Sequence, residues 1–238
     1  MELGAWAERF GLVAGITTRG PAGSTAFNLG LWSEEAVGQV MTRWRAFRAA
    51  LGDRFPAVIL SHQVHGSNVG WHTSATPGWH LLDGLDAHAT ALPGTLLTIT
   101  VADCIPVYLA VPTKRVVALV HAGWRGTAAR ILERAVELLR REAFCRGSDI
   151  VMHCGVGICG KCYEVGSEVY ERLMSVPVEG PRYANLRAIL AAQAGELGIG
   201  EVTISPFCTA HDRDRFFSHR ASGGRDGRLV AYLGVPRT

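Results

Sequence analysis

Two apolar, β-branched runs, Val107 to Val111 and Val116 to Val120, flank the turn-like tetrapeptide Pro112-Thr113-Lys114-Arg115. Short runs bounded by turn residues read as two strands of one hairpin, and no other feature constrains the fold as much. An antiparallel register about that turn pairs positions whose numbers sum to about 227. Cys104 then lies opposite about Gly123, and His121 opposite about Pro106. A thiol and an imidazole arrive at the same end of one hairpin. Whether they share a face depends on side-chain alternation, which a slip of one residue would invert.

Around the hairpin, Leu96 to Val101 reads as a buried strand. Val37, Val40, Met41, Trp44, Phe47 and Leu51 fall at helical spacing, so about 35–51 is an amphipathic helix. After Gly126, residues Ile131, Leu132, Ala135, Val136, Leu138 and Leu139 mark a second helix. Asp149 to Val156 and Val202 to Ser205 read as strands, and segments near 163–174 and 184–197 as helices. Strands outnumber helices. The expectation is an α+β single domain over residues 1–238, with mixed, largely antiparallel sheets and flanking helices.

The 238 residues are 48% hydrophobic and 19% charged, with a net charge of +3. That charge is too small to indicate a nucleic-acid partner, and no Lys/Arg run suggests one. A small molecule is the expected partner, with a few local arginines available for a small anion. Glu2, Glu8 and Arg9 interrupt the start of the chain, so it lacks a signal-peptide pattern. No stretch approaches the roughly 20 apolar residues of a membrane span, and the expected compartment is the cytoplasm. The six cysteines do not suggest a disulfide framework in such a chain.

Three segments carry chemistry: Ser61-His62-Gln63-Val64-His65-Gly66, Ala102-Asp103-Cys104 and His121-Ala122-Gly123-Trp124-Arg125-Gly126. A Cys and a His meeting at the hairpin end permit a thiolate–imidazolium nucleophile. They equally permit metal ligation, with His65 completing a Cys-His-His set and one position left open. The third reading is ordinary packing, with each His hydrogen-bonded and Cys104 buried.

These motifs resemble the YfiH-type laccase-domain family, also called the polyphenol oxidase or purine nucleoside phosphorylase family. The resemblance rests on Asn28-Leu29-Gly30, Gln63-Val64-His65-Gly66, Asp86-Ala87, Ala102-Asp103-Cys104 and the His121–Gly126 segment. Cys162-Tyr163-Glu164-Val165-Gly166 and Phe216-Phe217-Ser218-His219-Arg220 extend it over nearly the whole chain. It implies a fold related to cysteine hydrolases and zinc ligation by His65, Cys104 and His121. The chain departs from the family's Gly-Pro-Ala-Ile-Gly-Pro run, here Gly155-Val156-Gly157-Ile158-Cys159-Gly160. It also carries His219 where the family commonly has Tyr.

The resemblance further implies purine nucleoside chemistry, as transferase or hydrolase: phosphorolysis of adenosine, inosine, guanosine and methylthioadenosine, and adenosine deamination. Deamination needs a metal-activated water and a carboxylate acid/base, for which Asp86 and Asp103 are the candidates. Phosphorolysis needs a phosphate contact. Arg125, near a helix N-terminus, suits that role, with Arg43 and Arg220 behind it. Asn28 could touch substrate, although turn capping is the safer expectation. Phe217 and His219 could stack on a purine, although Phe217 also reads as core.

Removal of a wrongly incorporated serine from a peptidoglycan precursor is a second family role and the alternative reading. Copper-dependent phenol oxidation comes third. Copper would bind the same nitrogen and sulfur ligands tightly, but a multi-copper centre needs His-X-His pairs, and the nine histidines include none. Elsewhere, Cys159-Gly160-Lys161-Cys162 is a lone C-x-x-C read as packing or surface thiols. Cys154 and Cys208 read as core, and His62 as either an orienting partner of a ligand or an exposed loop residue.

Overall fold

The computed structural model describes residues 3–21 and 26–237; Glu2 of the N-terminal reading lies outside them. The hairpin forms as expected. Strand β7 (Ile105–Val111) pairs antiparallel with β8 (Val116–Ala122), with Ile105 opposite Ala122, Pro106 opposite His121 and Val111 opposite Val116. One 3₁₀ turn, Pro112–Lys114, reverses the chain, and Arg115 leaves it in the left-handed region at φ 53°. Every residue of both strands is buried. A strand covered on both faces reads as a continuous apolar run, which is why the pair stood out.

The hairpin is the centre of a six-stranded sheet. Its order is β12 (Glu201–Ile204), β9 (Val151–Cys154), β7, β8, β5 (Ala87–Thr90), β3 (Val69–His72). A five-stranded sheet runs β1 (Val13–Ile16), β13 (Leu229–Gly234), β6 (Thr95–Val101), β2 (Ala57–His62), β4 (Gly78–Asp83). Short strands β10 (Glu164–Val165) and β11 (Arg182–Tyr183) pair separately. Among the described residues six strand pairings are antiparallel and four parallel, so the sheets are mixed and largely antiparallel.

Side-chain alternation divides the hairpin between two cores. Tyr108, Ala110, Val117 and Leu119 face the five-stranded sheet and meet Ile59, Leu97, Ile99 and Leu233. Val107, Leu109, Ala118 and Val120 face away, onto Ile131, Leu132, Ala135, Val136 and Leu139 of helix α4 (Ile131–Ala143). The outer face of the five-stranded sheet is covered by α2 (Val37–Leu51) through Val40, Trp44, Phe47 and Leu51. Four layers result: helix, sheet, sheet, helix. Each large apolar side chain so buried contributes roughly 1.5–3 kcal/mol. The Tyr108 hydroxyl ties the two sheets together by donating to Gly15 O at 2.8 Å.

Some boundaries differ from the sequence reading. The helix expected from near Gly126 is two helices, α3 (Trp124–Ala128) and α4, separated by Arg130 at φ 56°. The strand expected over Asp149–Val156 contracts to β9, because Gly147–Asp149 forms a 3₁₀ turn. The helix expected from 163 begins at Ser167 as α5 (Ser167–Met174), after residues 164–165 have paired as β10. The later helix is α6 (Leu186–Glu196). Helices α1 (Gly4–Phe10) and α7 (His219–Ser222) complete the set among the described residues. None of these helices is long and apolar enough to cross a membrane.

Candidate active site

Three chain segments meet at one end of the two-sheet stack. His121 lies in β8 with the parity of Val117 and Leu119, and Cys104 precedes β7 with the parity of Pro106 and Tyr108. Both therefore belong to the face that meets the other sheet. The third segment, residues 63–66, leaves the end of β2 and is pinned at two points. Gln63 Oε1 accepts from Thr100 N at 2.7 Å and from Thr100 Oγ1 at 2.8 Å, while its Nε2 donates to Thr100 O at 3.0 Å. Below it, the Asp86 carboxylate accepts from the backbone N–H of Val64 (3.2 Å), His65 (3.0 Å) and Gly66 (2.7 Å). Successive N–H groups can converge on one anion only through a turn that passes the left-handed region, and His65 sits there at φ 57°.

Asp86 also accepts from His121 Nδ1 at 2.8 Å. That bond fixes the imidazole tautomer and leaves Nε2 for Cys104 and His65. One donor atom from each of His65, Cys104 and His121 lies within 4.8 Å of the others. Gly123 is required by this closeness: a Cβ there would stand 3.0 Å from Cys104 Sγ and 3.1 Å from His65 Cδ2.

Burial opposes charge on both Cys104 and His121, but their mutual attraction prevails. The Cys104 thiol is drawn down to about 6 by the charge of His121 and by hydrogen bonds from His121 and His65. His121 is raised to about 9 by the Cys104 charge and the Asp86 hydrogen bond. The thiol is thus a thiolate near neutral pH, the form that ligates a metal or acts as a nucleophile. One thiolate and two imidazoles at this spacing, with a cavity alongside, are the donor set of a three-ligand metal centre.

The cavity encloses about 470 Å³, the size of a small-molecule site. Arg125, His219 and Arg220, the phosphate and purine candidates of the sequence, line it. Arg125 makes no ion pair among the described residues, and its guanidinium lies 4.6 Å from the centroid of the Trp124 ring. Arg220 stands 5.2 Å over the Tyr163 ring, with Nη1 donating to Glu164 O at 2.7 Å. Asp103 forms part of the wall, and three donors already occupy its carboxylate. Its oxygens accept from Thr209 Oγ1 (2.6 Å), Ser218 Oγ (2.7 Å) and Arg220 N (2.7 Å), which holds the residue at φ 85°. These bonds tie the segment before Cys104 to the loops that carry Thr209 and Ser218.

Four other expectations are corrected. Asp86 is fully buried beneath the cluster, outside the cavity lining, so its role is to orient His121 and the 63–66 segment. Asn28 is consumed by its turn: Oδ1 accepts from Gly30 N and Arg228 N, and Nδ2 donates to Ser33 and Glu35. Arg43 is paired with Glu35 and donates to Asn28 O, away from the cavity. Phe217 is core, 1% exposed, beneath Arg19.

Trp32, Tyr163 and Arg228 line the cavity and were not picked from the sequence. Trp32 followed the Asn28-Leu29-Gly30 motif as an unexplained aromatic. Arg228 carried no local signal, because Asn28 recruits its backbone across 200 residues. His62 also lines the cavity, stacked on Trp32 at 4.8 Å and bonded to Asp83, and it is not part of the three-residue cluster. Elsewhere, Cys159 and Cys162 are not isolated thiols: Cys208 and His211 lie with them, the donor atoms again within 4.8 Å.

The family described as multi-copper polyphenol oxidoreductase laccase matches residues 13–236. A purine nucleoside phosphorylase of Deinococcus radiodurans is 37% identical over 196 residues, spanning 79% of this chain and 74% of that protein. The adenosine deaminase RL5 of an unidentified prokaryote is 34% identical over 169 residues, 66% of this chain and 63% of that protein. The crystal structure of YlmD from Geobacillus stearothermophilus superposes with a TM-score of 0.88 at 29% identity, covering 96% of this chain and 93% of that one. With the family's pattern running through both sheets and all three segments of the cluster, the chain belongs to the laccase-like YfiH family.

Proposed function

We propose that this chain is a zinc-dependent purine nucleoside phosphorylase, with His65, Cys104 and His121 as the metal ligands. One observation carries the reading. The cavity beside the cluster is lined by Arg125, Arg220 and Arg228, and its single carboxylate, Asp103, already accepts three hydrogen bonds. Such a site favours an anionic co-substrate. The relative named purine nucleoside phosphorylase supports the choice of nucleoside.

Zinc held there would supply a positive, Lewis-acidic charge with one coordination position open to the cavity. The protein's own groups do the remainder. Arg125, free of any carboxylate among the described residues, binds phosphate, with Arg220 and Arg228 beside it. Exposed Trp32, backed by His62, offers a flat surface for the purine. Phosphate attacks C1′ of the ribose as the bond from C1′ to the base nitrogen breaks. The electron pair leaves on the purine, and His62 and His219 are the cavity imidazoles able to protonate it. The products are the free base and the sugar 1-phosphate.

Deamination is the second reading, favoured by the relative named adenosine deaminase. It calls for a carboxylate free to shuttle protons beside the metal, and neither Asp86 nor Asp103 is free. Multi-copper phenol oxidation is disfavoured by the donor set, since the cluster at the cavity has a single thiol and two imidazoles.

The test is a product assay on metal-quantified protein with adenosine, with and without phosphate. Phosphate-dependent adenine supports the proposal. Inosine formed without phosphate overturns it in favour of deamination. No product from metal-loaded protein overturns both and points to the cell-wall amide.

A further inference from the structure

The second cluster is built from two short turns of identical spacing, Cys159-x-x-Cys162 and Cys208-x-x-His211. They follow β9 and β12, which are parallel neighbours, so both turns leave the same end of the sheet. Their backbones match. Cys159 O accepts from Cys162 N (3.0 Å) and Tyr163 N (3.1 Å); Cys208 O accepts from His211 N (3.2 Å) and Asp212 N (2.8 Å). The turns face one another across a bridge between Gly157 and Cys208.

Three sulfurs and an imidazole converge between them. Cys162 Sγ lies 3.0 Å from His211 Nε2, Cys159 Sγ 3.9 Å from His211 Nδ1, and all four donor atoms lie within 4.8 Å of one another. Tetrahedral zinc with Zn–S of about 2.3 Å and Zn–N of about 2.0 Å sets its ligands roughly 3.5–3.8 Å apart, so closure asks for sub-ångström adjustments. The backbone N–H of Cys159 already donates to Cys208 Sγ at 3.3 Å, the kind of outer hydrogen bond that supports a ligating thiolate. No carboxylate belongs to the cluster, and a thiol-rich tetrahedral set selects zinc over hard cations. Three thiolates around a divalent ion leave one net negative charge, and the residue between the first two ligands in sequence, Lys161, is a cation.

We propose that Cys159, Cys162, Cys208 and His211 form a second metal site, a closed Cys₃His zinc site that staples the loop after β9 to the loop after β12. Four protein ligands leave no position for substrate, so the site is structural. Its position gives it a purpose. The stapled loops carry Tyr163, which lines the cavity, and Thr209 and Ile158, which hold Asp103 through Thr209 Oγ1 to Asp103 Oδ1 and Ile158 N to Asp103 O. The staple thereby fixes the residue immediately before Cys104. None of this depends on which reaction the cavity performs.

The experiment counts metal on the full chain, purified reduced, by elemental analysis. Wild-type protein should carry about two zinc ions per chain, and Cys104→Ala and the double variant Cys159→Ser/Cys162→Ser about one each. The double variant should also melt roughly 5 °C or more lower. His211→Cys, which preserves four ligands, should keep both ions. Should the double variant fail to fold, cobalt reconstitution of wild type decides. Two ions, one of which Cys104→Ala removes while the other keeps the intense charge-transfer absorption of three thiolates, support the site. Overturning results are a single ion that Cys104→Ala removes, or a native mass short by two hydrogens, which would mean a disulfide.

Discussion

Asp86→Asn removes one negative charge and one acceptor from a carboxylate that receives four donors. In the native protein Oδ1 accepts from His65 N and His121 Nδ1, and Oδ2 from Val64 N and Gly66 N. An amide keeps one acceptor oxygen and turns an NH₂ toward the other two donors. Two donors then lose their partner; because the Val64, His65 and Gly66 N–H groups are only part-buried, the loss lies toward the low end of about 1–3 kcal/mol each, so stability falls by about 2 kcal/mol. If the NH₂ faces His121, Nδ1 must become an acceptor, and the proton moves to Nε2, the atom left for the cluster. Metal affinity should then drop about 10–100-fold. Urea unfolding of metal-free protein reads the first effect, and competition with a chromogenic chelator reads the second. A variant with native stability and native metal affinity but no turnover would refute this reasoning and return Asp86 to the role of proton carrier.

Gly123→Ala places a Cβ 3.0 Å from Cys104 Sγ and 3.1 Å from His65 Cδ2, so metal affinity should fall at least tenfold; unchanged chelator competition would count against the close approach. Arg125→Ala should raise the phosphate KM about 10–100-fold, the value of one charge-assisted contact, with metal content unaltered; an unaltered phosphate KM removes Arg125 from the anion site. His88, fully buried between Ser61 and His72, has its pKa lowered to about 3 by burial and by the charge of His72. Its folded form stays neutral while the unfolded chain takes up a proton below about 6.5, so stability is complete above that pH and declines from about 6.5 toward 3, by up to about 1.4 kcal/mol per pH unit. His88→Gln should flatten the decline in unfolding free energy over that range, and an identical slope would contradict it.

The hairpin was legible because its strands are apolar on both faces and its turn contains Pro112, so register followed from turn position alone. The same register brought Cys104 to His121. Helices α2 and α4 were legible from one-sided apolar spacing. Strands β3 and β4 were not, since Val69–His72 and Gly78–Asp83 are half-buried edge segments rich in Gly, Trp and His. Their places depend on parallel partners far along the chain, and no local residue encodes that pairing. The surroundings of Asp86 and Asp103 were hidden for a related reason. A carboxylate near a motif advertises charge, but only the fold reveals how many N–H and O–H groups already occupy it. Cys208 read as core and His211 was not singled out, because the partner of the first C-x-x-C ends in histidine and not in a second cysteine.

Cys104 and His121 are anchored by the buried hairpin, whereas His65 sits on an exposed turn held by Gln63 and Asp86. As the proposed ligand set, the three residues amount to two fixed jaws and one hinged latch. If the proposed zinc is held there, its exchange should follow the opening of that turn and not the breathing of the sheets. Loosening the Gln63 to Thr100 clasp should speed both loading and loss, leaving the equilibrium preference among metals to the jaws.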